Sequence, residues 1–501
     1  MKKIFKSILI MFFFTATLVG CTDELDNEPI GKLTENLVDS GLAEVTLESL
    51  VSSSYQPLSN TLNGVVPGWR WDLGTVFRND IVLQDIASND MNKKWSPDGD
   101  QPWMDKVSDF SFTPENQAFN GIWVYNYIGI NRLNLAIGFL TDGETVPNSG
   151  MSEARKNQLL SEAYFLKAYY YFDLVNNFGD VPLLTKSPES FQEAIEASVR
   201  SSKEDVLLQI AADLEAAKSL ASNAKYPDAS EPWRASKGAI IALQAKVALF
   251  AKDWPTVLSL ITELDGLGNY SLNTEYFDSF DADLEFTDNE VILAYDHRSD
   301  ETPNINNGIR FVIGWGFFSP TDDFVAAFEP NDPRLLYTTT ADSGDKRSPK
   351  LIGSRTGLID YGNKVYIRYA DVLLWKAEAL NETEDYPGAL AIINQIRKRA
   401  RTSSTVDGSV IPPGTLPDRA SSTDASQIKG WLMSERRVEL GFESQRFNDL
   451  KRWGTAETEL ASKGFQSQHS LYPIPQLDID KSGGTITQNS GYNGYSTLND
   501  P

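Results

Sequence analysis

Apolar residues recur along most of this chain at helical spacing. Over residues 153–177, Leu159, Ala163, Leu166, Tyr170 and Leu174 follow one another at steps of three or four, so they share one face of an amphipathic helix. Asn176-Asn177-Phe178-Gly179 predicts its end, and Pro182 prevents a restart. Thr113-Pro114-Glu115 reads as an N-cap with proline at the first helical position, which predicts a helix over 114–140. Ser202 with Asp205 three positions on predicts a capped start for a helix over 203–220.

The pattern then repeats. Residues 235–251 predict a helix, Lys252-Asp253-Trp254 a turn, and Pro255 the start of a second helix to about Leu264. Residues 365–381 predict a helix, 382–386 a turn, and Pro387 a partner helix through Ala400. In that second pair Ile367, Ala370, Leu374 and Ala377 line one helix; Ala389, Ile393, Ile396 and Ala400 line the other. A helical pair of roughly 34 residues, with an aromatic just before its second helix, is tetratricopeptide-like. Neither helix buries its apolar face alone, so such pairs stack. Residues 60–112 and 266–364 break the pattern: both are irregular, and the second is rich in Gly, Asn, Asp and Pro, with a strand-like piece at 291–295. Loops this long are functional or disordered, and their aromatic content argues for order. Residues beyond about 455 are polar, with Tyr472-Pro473-Ile474-Pro475 extended. The expected fold is mainly α, a tetratricopeptide-like scaffold of helical pairs with long irregular insertions, forming a single domain over 21–501.

The first 20 residues read as a leader. Lys2, Lys3 and Lys6 precede an apolar run over residues 8–14, and Leu18-Val19-Gly20-Cys21 forms a lipobox. The run is too short for a permanent membrane helix, and no later segment is apolar enough to span. Cys21, the only cysteine, is the expected lipidation site; its thiolate attacks an activated lipid, and two or more acyl chains make a stable anchor. Four acids within residues 23–28 make a solvated tether. Formal net charge is −24, and loss of the three leader lysines leaves −27. That surface argues against nucleic acid, polyanionic ligands and adhesion to anionic membrane, leaving attachment to the lipid and favouring a neutral ligand. No disulfide or thiolate metal site can form from one cysteine, and His297 and His469 match no metalloprotease spacing. No phosphate-binding glycine loop occurs, and no cofactor is expected. Asp281, Asp283 and Glu285 in the acidic stretch 278–288 could offer oxygens to calcium.

Candidate chemistry lies in the insertions. Trp69, Trp71, Trp95 and Trp103 are four of the 11 tryptophans and fall within one loop region; Trp315 lies in the other, in Gly314-Trp315-Gly316-Phe317-Phe318. The C–H face of a sugar ring stacks on a flat aromatic, and its hydroxyls need amide, guanidinium or carboxylate partners. Arg70, Asp72, Arg78, Asn89, Asp90, Asn304, Asn306, Asn307 and Arg310 supply those groups. The expected ligand site is therefore Trp69, Trp71, Arg78, Trp95, Trp103, Asn306, Arg310 and Trp315, an aromatic platform carried by two loops on a rigid scaffold. Each tryptophan has a rival role as a buried loop anchor. Trp123, Trp254, Trp375 and Trp453 sit in helical or turn motifs and are expected in the core.

Six blocks together resemble the SusD/RagB family of outer-membrane nutrient-binding lipoproteins. They are Trp123, Tyr127 and Asn131; Glu162 through Leu174 followed by Phe178-Gly179-Asp180-Val181-Pro182-Leu183; Pro320-Thr321 with Phe328 and Asp332-Pro333-Arg334; Arg368-Tyr369-Ala370-Asp371 with Ala377-Glu378-Ala379-Leu380-Asn381; Glu435-Arg436-Arg437-Val438-Glu439 with Arg446 through Gly454; and Tyr472-Pro473-Ile474-Pro475. Arg436 and Glu439, three apart, could pair on one helix, and buried Arg–carboxylate pairs can fix register between helices. The family uses these blocks as scaffold, so the resemblance implies no catalytic carboxylate pair and no enzyme. It implies a glycan-binding protein that acts as the lid of a TonB-dependent, SusC-like transporter. The acidic tether resembles an outward export signal of surface lipoproteins. A peptide ligand, a glycosidase and a protein-binding helical scaffold are the competing expectations.

Overall fold

The computed structural model describes residues 43–59, 61–93, 99–295, 317–339, 348–355 and 362–492. The leader, Cys21 and the acidic tether lie outside the described residues, as do Trp95, Asn306, Arg310 and Trp315. Apart from single-turn pieces, the helices are α1 (Ala43–Ser53), α2 (Pro102–Ser108), α3 (Ala118–Thr141), α4 (Glu153–Phe178), α5 (Lys203–Leu220), α6 (Lys237–Phe250), α7 (Trp254–Gly266), α8 (Tyr369–Glu382), α9 (Tyr386–Thr402), α10 (Ala425–Glu439) and α11 (Arg446–Trp453). None of the described helices is long and apolar enough to cross a membrane.

From α3 to α9 each helix packs on the next, and α10 closes on α8 and α9. The two tetratricopeptide-like pairs are α6–α7 and α8–α9. Their second helices start alike: Asp253 accepts from the Thr256 N–H and Asp385 from the Gly388 N–H, each followed by an aromatic and a proline. The carboxylate satisfies an otherwise unpaired N–H, and proline costs none at that position. Helices α7 and α8 pack together although residues 267–368 separate them in sequence, so that stretch is an insertion between stacked helices. Trp375 is fully buried and Trp123 is 3% exposed, as core residues; Trp254 and Trp453 are only half-buried.

Two helix starts differ from the expected ones. Residues 365–368 form a strand, because 291–294 from the insertion pair with them antiparallel, Val291 opposite Arg368 and Ala294 opposite Val365. Ile367 therefore lies in a sheet rather than on a helix stripe; β-branched residues fit a pleated surface once a partner strand is at hand. Helix α3 begins at Ala118, not at 114. Asn116 Oδ1 accepts from the Ala118 N–H at 2.9 Å, and the Pro114 carbonyl is taken by the Gln476 N–H at 3.1 Å. A local side-chain turn wins over the first helical turn.

Buried ion pairs tie the later helices. Arg436 bridges Asp371 at 2.8 Å and Asp449 at 2.9 Å, and Arg452 joins Asp449 to Glu378. Arg436 and Glu439 do not pair with each other. Glu439 instead meets Arg334, Arg368 and Arg399. Burial pushes the Glu439 carboxyl up, but Arg399, Arg368 and Arg334 outweigh it and hold it well below the usual carboxylate range. Planar guanidinium forks between helices fix their register.

The insertions also pair. Strand β1 (Met91–Lys93) runs antiparallel to β2 (Phe318–Pro320), with Met91 opposite Pro320 and Lys93 opposite Phe318. Two of the three acids that could offer oxygens to calcium have protein partners: Asp281 lies 3.8 Å from Arg355, and Glu285 accepts from Asn363. Among the described residues no cluster of three or more potential ligands could hold a metal ion.

Candidate functional site

The tryptophan loop is built on unusual backbone. Gly68 and Trp69 both have positive φ, at 98° and 53°. The Trp69 N–H donates to Asn63 Oδ1 at 2.6 Å, and the Trp71 N–H to the Trp69 carbonyl at 2.7 Å. Residues 71–73 make one 3-10 turn that ends at Gly74, φ 65°. A Cβ on Gly74 would lie 1.9 Å from the Gln117 carbonyl oxygen, so only glycine lets the loop seat there.

This seating opens a cleft of about 510 Å³. Trp71 and Asp72 form one part of its lining, residues 99–103 with Lys106 another, and Thr113, Glu115, Asn116 and Gln117 the rest. The Trp71 ring stacks on Phe317 of the other insertion, centroids 5.9 Å apart at 22°, and meets Phe77 edge-on. Trp71 is half-buried, whereas Trp69 is 56% exposed. Arg70 grips Asp72 through two bonds of 3.0 and 2.9 Å on the surface. That guanidinium holds the Asp72 carboxyl below the usual range, so it stays an acceptor. Asp72, Asp100 and Glu115 outnumber Lys106 in the cleft. A half-buried indole can stack a sugar ring, and the carboxylates and carboxamides beside it can accept from the sugar's hydroxyls, while the acids repel anionic sugars.

Of the expected site residues, the structure brings Trp71 and Trp103 to one cleft, with Trp69 on the adjoining loop. Two of them take other roles. Arg78 is 1% exposed; its guanidinium donates to Asp173 at 2.5 Å, Asn126 at 2.9 Å and the Pro57 carbonyl at 2.8 Å. A guanidinium so committed braces α3 against α4, and at 1% exposure it presents almost no surface to a ligand. Trp103 is 4% exposed and packs into the main core, so its face is not a stacking platform; only its indole N–H reaches out, donating to Gln101 Oε1 at 2.7 Å. Asn89 and Asp90 are also engaged, with Asp323 and Arg437. The cleft residues missed from sequence include Asp100, Gln101, Glu115, Asn116 and Gln117. The last three fall within the helix that the sequence predicts over 114–140; a carboxamide two residues before a loop tryptophan is the one local cue to Gln101.

Comparison with known proteins bears on the family. Residues 353–492 match the model of the SusD family, and residues 49–249 match a model described as starch-binding, associating with the outer membrane. The chain belongs to the SusD/RagB family. A SusD-like protein of Formosa agariphila is 29% identical over 425 residues, spanning 75% of this chain and 80% of its own. The surface glycan-binding protein A of Bacteroides fluxus superposes with a TM-score of 0.71 at 22% identity, covering 90% of this chain and 99% of its own. The surface glycan-binding protein A of Bacteroides thetaiotaomicron, solved in complex with laminarihexaose, superposes with a TM-score of 0.68 at 20% identity, covering 89% and 99%. These structures share the overall fold of this chain.

Proposed function

We propose that this SusD-like protein is a surface-exposed, lipid-anchored glycan-binding protein. It captures a neutral oligo- or polysaccharide and delivers it to a SusC-like, TonB-dependent outer-membrane transporter, over which it sits as a lid. The observation that carries the ligand reading is the half-buried Trp71 set beside an open, polar and net acidic cleft, with the exposed Trp69 next to it. Weak contacts shared among stacking and hydroxyl acceptors suit capture and release. The laminarihexaose complex of a fold neighbour supports starting with β-glucans. Trp95, Asn306, Arg310 and Trp315 belong to the same two insertions and stay candidates for the site. The transporter, the lid role, the anchor at Cys21 and the outward orientation rest on the family resemblance and the lipobox.

A glycan array probed with residues 22–501 tests the ligand. Binding confined to neutral glycans is the expected result; binding only to uronates or sulfated glycans overturns it. Purification from membranes in mild detergent tests the partner, with a large outer-membrane barrel expected alongside. A second reading, a peptide ligand, has its own support in an apolar groove of about 410 Å³ lined by Trp123, Tyr127, Ile128, Leu184 and Ile486. Its test is a peptide array on the same sample. Hydrolysis is the third, and a reducing-sugar assay that rises with protein concentration would establish it against our reading.

A further inference from the structure

Gln101 stands in a conformation that its sequence position disfavours twice. Its φ and ψ are 46° and 54°, the left-handed region, where a side chain other than glycine, asparagine or aspartate is uncommon. It also precedes Pro102, which pushes the preceding residue toward extended backbone. It caps α2 without a side-chain capping bond, so the strain is not offset by satisfying the helix end. The side chain is instead turned to the cleft, where Oε1 accepts from the Trp103 indole at 2.7 Å and Nε2 donates to Asp100 at 3.3 Å. Trp103 is itself anchored: its carbonyl accepts from Asn116 Nδ2 at 3.0 Å, and Asn116 Oδ1 accepts from the N–H of Ala118, the first residue of α3, at 2.9 Å. A chain of bonds thus runs from the long helix α3 through a buried indole to one carboxamide at the cleft.

We propose that Gln101 is the hydrogen-bonding residue that selects a neutral saccharide in this cleft, and that Trp103 is the positioning residue that aims it. The inference rests on the glycan reading above and deepens it. Carboxamides recognise vicinal hydroxyls, because one group donates and accepts in a plane. With Nε2 and Oε1 each spending one of two valences on Asp100 and Trp103, one donor and one acceptor remain for a sugar stacked on Trp71. Strained backbone held by its surroundings is where fixed ligand contacts are found. The rigid tether fixes the amide before the ligand arrives, which lowers the ordering cost of binding.

Calorimetric titration of residues 22–501 with a panel of neutral hexasaccharides, laminarihexaose first, tests this on Gln101→Gly, Trp103→Phe and the double variant. Glycine removes the amide and relieves the backbone; phenylalanine keeps the packed ring and removes the N–H. Gln101→Gly should bind about tenfold more weakly, the order of one hydrogen bond with its partner, with an unchanged or higher melting temperature. Trp103→Phe should weaken binding too, and the double variant should be no weaker than Gln101→Gly alone, since the two act through one contact. A lowered melting temperature with wild-type affinity in Gln101→Gly makes Gln101 a structural cap and overturns the inference, as does additivity in the double variant. Wild-type protein that binds no hexasaccharide of the panel overturns the glycan reading itself, an outcome distinct from equal binding by wild type and variants.

Discussion

The indole of Trp71 stacks on the ring of Phe317, centroids 5.9 Å apart and 22° from parallel. One residue belongs to the insertion before the helical array and the other to the insertion inside it. Together with the β1–β2 pairing, the stack makes two distant loops one surface. Only part of the Trp71 ring is spent on this contact, and the cleft lies against the remainder.

Trp71→Ala should therefore weaken glycan binding by about 2 kcal/mol or more, roughly thirtyfold, the range of an aromatic anchor. Trp69→Ala, at an exposed position, should leave the melting temperature unchanged. Titration and thermal melts on the same samples measure both. A Trp71→Ala protein with full affinity and a lowered melting temperature would make the residue a loop anchor and nothing else.

Arg78 serves as the contrasting case. Its replacement by alanine leaves Asp173 without a cation between α3 and α4, held only by the Asn126 and Asn177 carboxamides. Breaking a buried pair costs about 3–5 kcal/mol, so urea unfolding should show a stability loss of that order. Affinity of the protein that remains folded should match wild type. A stable variant with lost binding would return Arg78 to the ligand site.

Asp85 sets a pH dependence. It lies on the segment Val82–Ile86, where Oδ2 accepts from the Ser444 N–H at 3.1 Å. Burial, with Asp90 adding to it, pushes its carboxyl up to about 8. The unfolded value is about 3.9, so the folded chain binds the extra proton between the two values. Stability from this group is then complete below about pH 4, falls as pH rises, and is gone above about pH 8. Asp85→Asn cannot ionise, so its melting temperature should change less between pH 5 and pH 9 than that of wild type. Parallel melting curves for the two proteins across that window would contradict the assignment.

Cys21→Ala should block acylation and release the protein from the membrane fraction. Metabolic labelling with a fatty acid followed by fractionation reads this directly. Label retained on the variant would show that the lipobox reading is wrong.

Sequence by itself determined the helical frame, because a helix face repeats every three or four residues and its caps are local. Leu159 through Leu174 lie in one helix, Ser202 caps Lys203–Leu220, and Asp253 and Asp385 start two like helices. It also marked the insertions, as breaks in that period, and the charged blocks, whose residues proved to be inter-helix ion pairs. What it could not carry was anything that depends on a distant partner. Val365 to Arg368 became a strand because residues 291–294 came alongside, and Asn116 displaced the expected start of α3 because Pro114 was drawn to Gln476. The roles of the tryptophans divide the same way. An indole carries no sign of burial in its own sequence, so only packing made Trp103 an anchor, left Trp71 half open and turned Arg78 inward to Asp173. Local periodicity specifies elements, whereas exposure is a property of what packs against a residue, and that is settled only when the whole chain has folded.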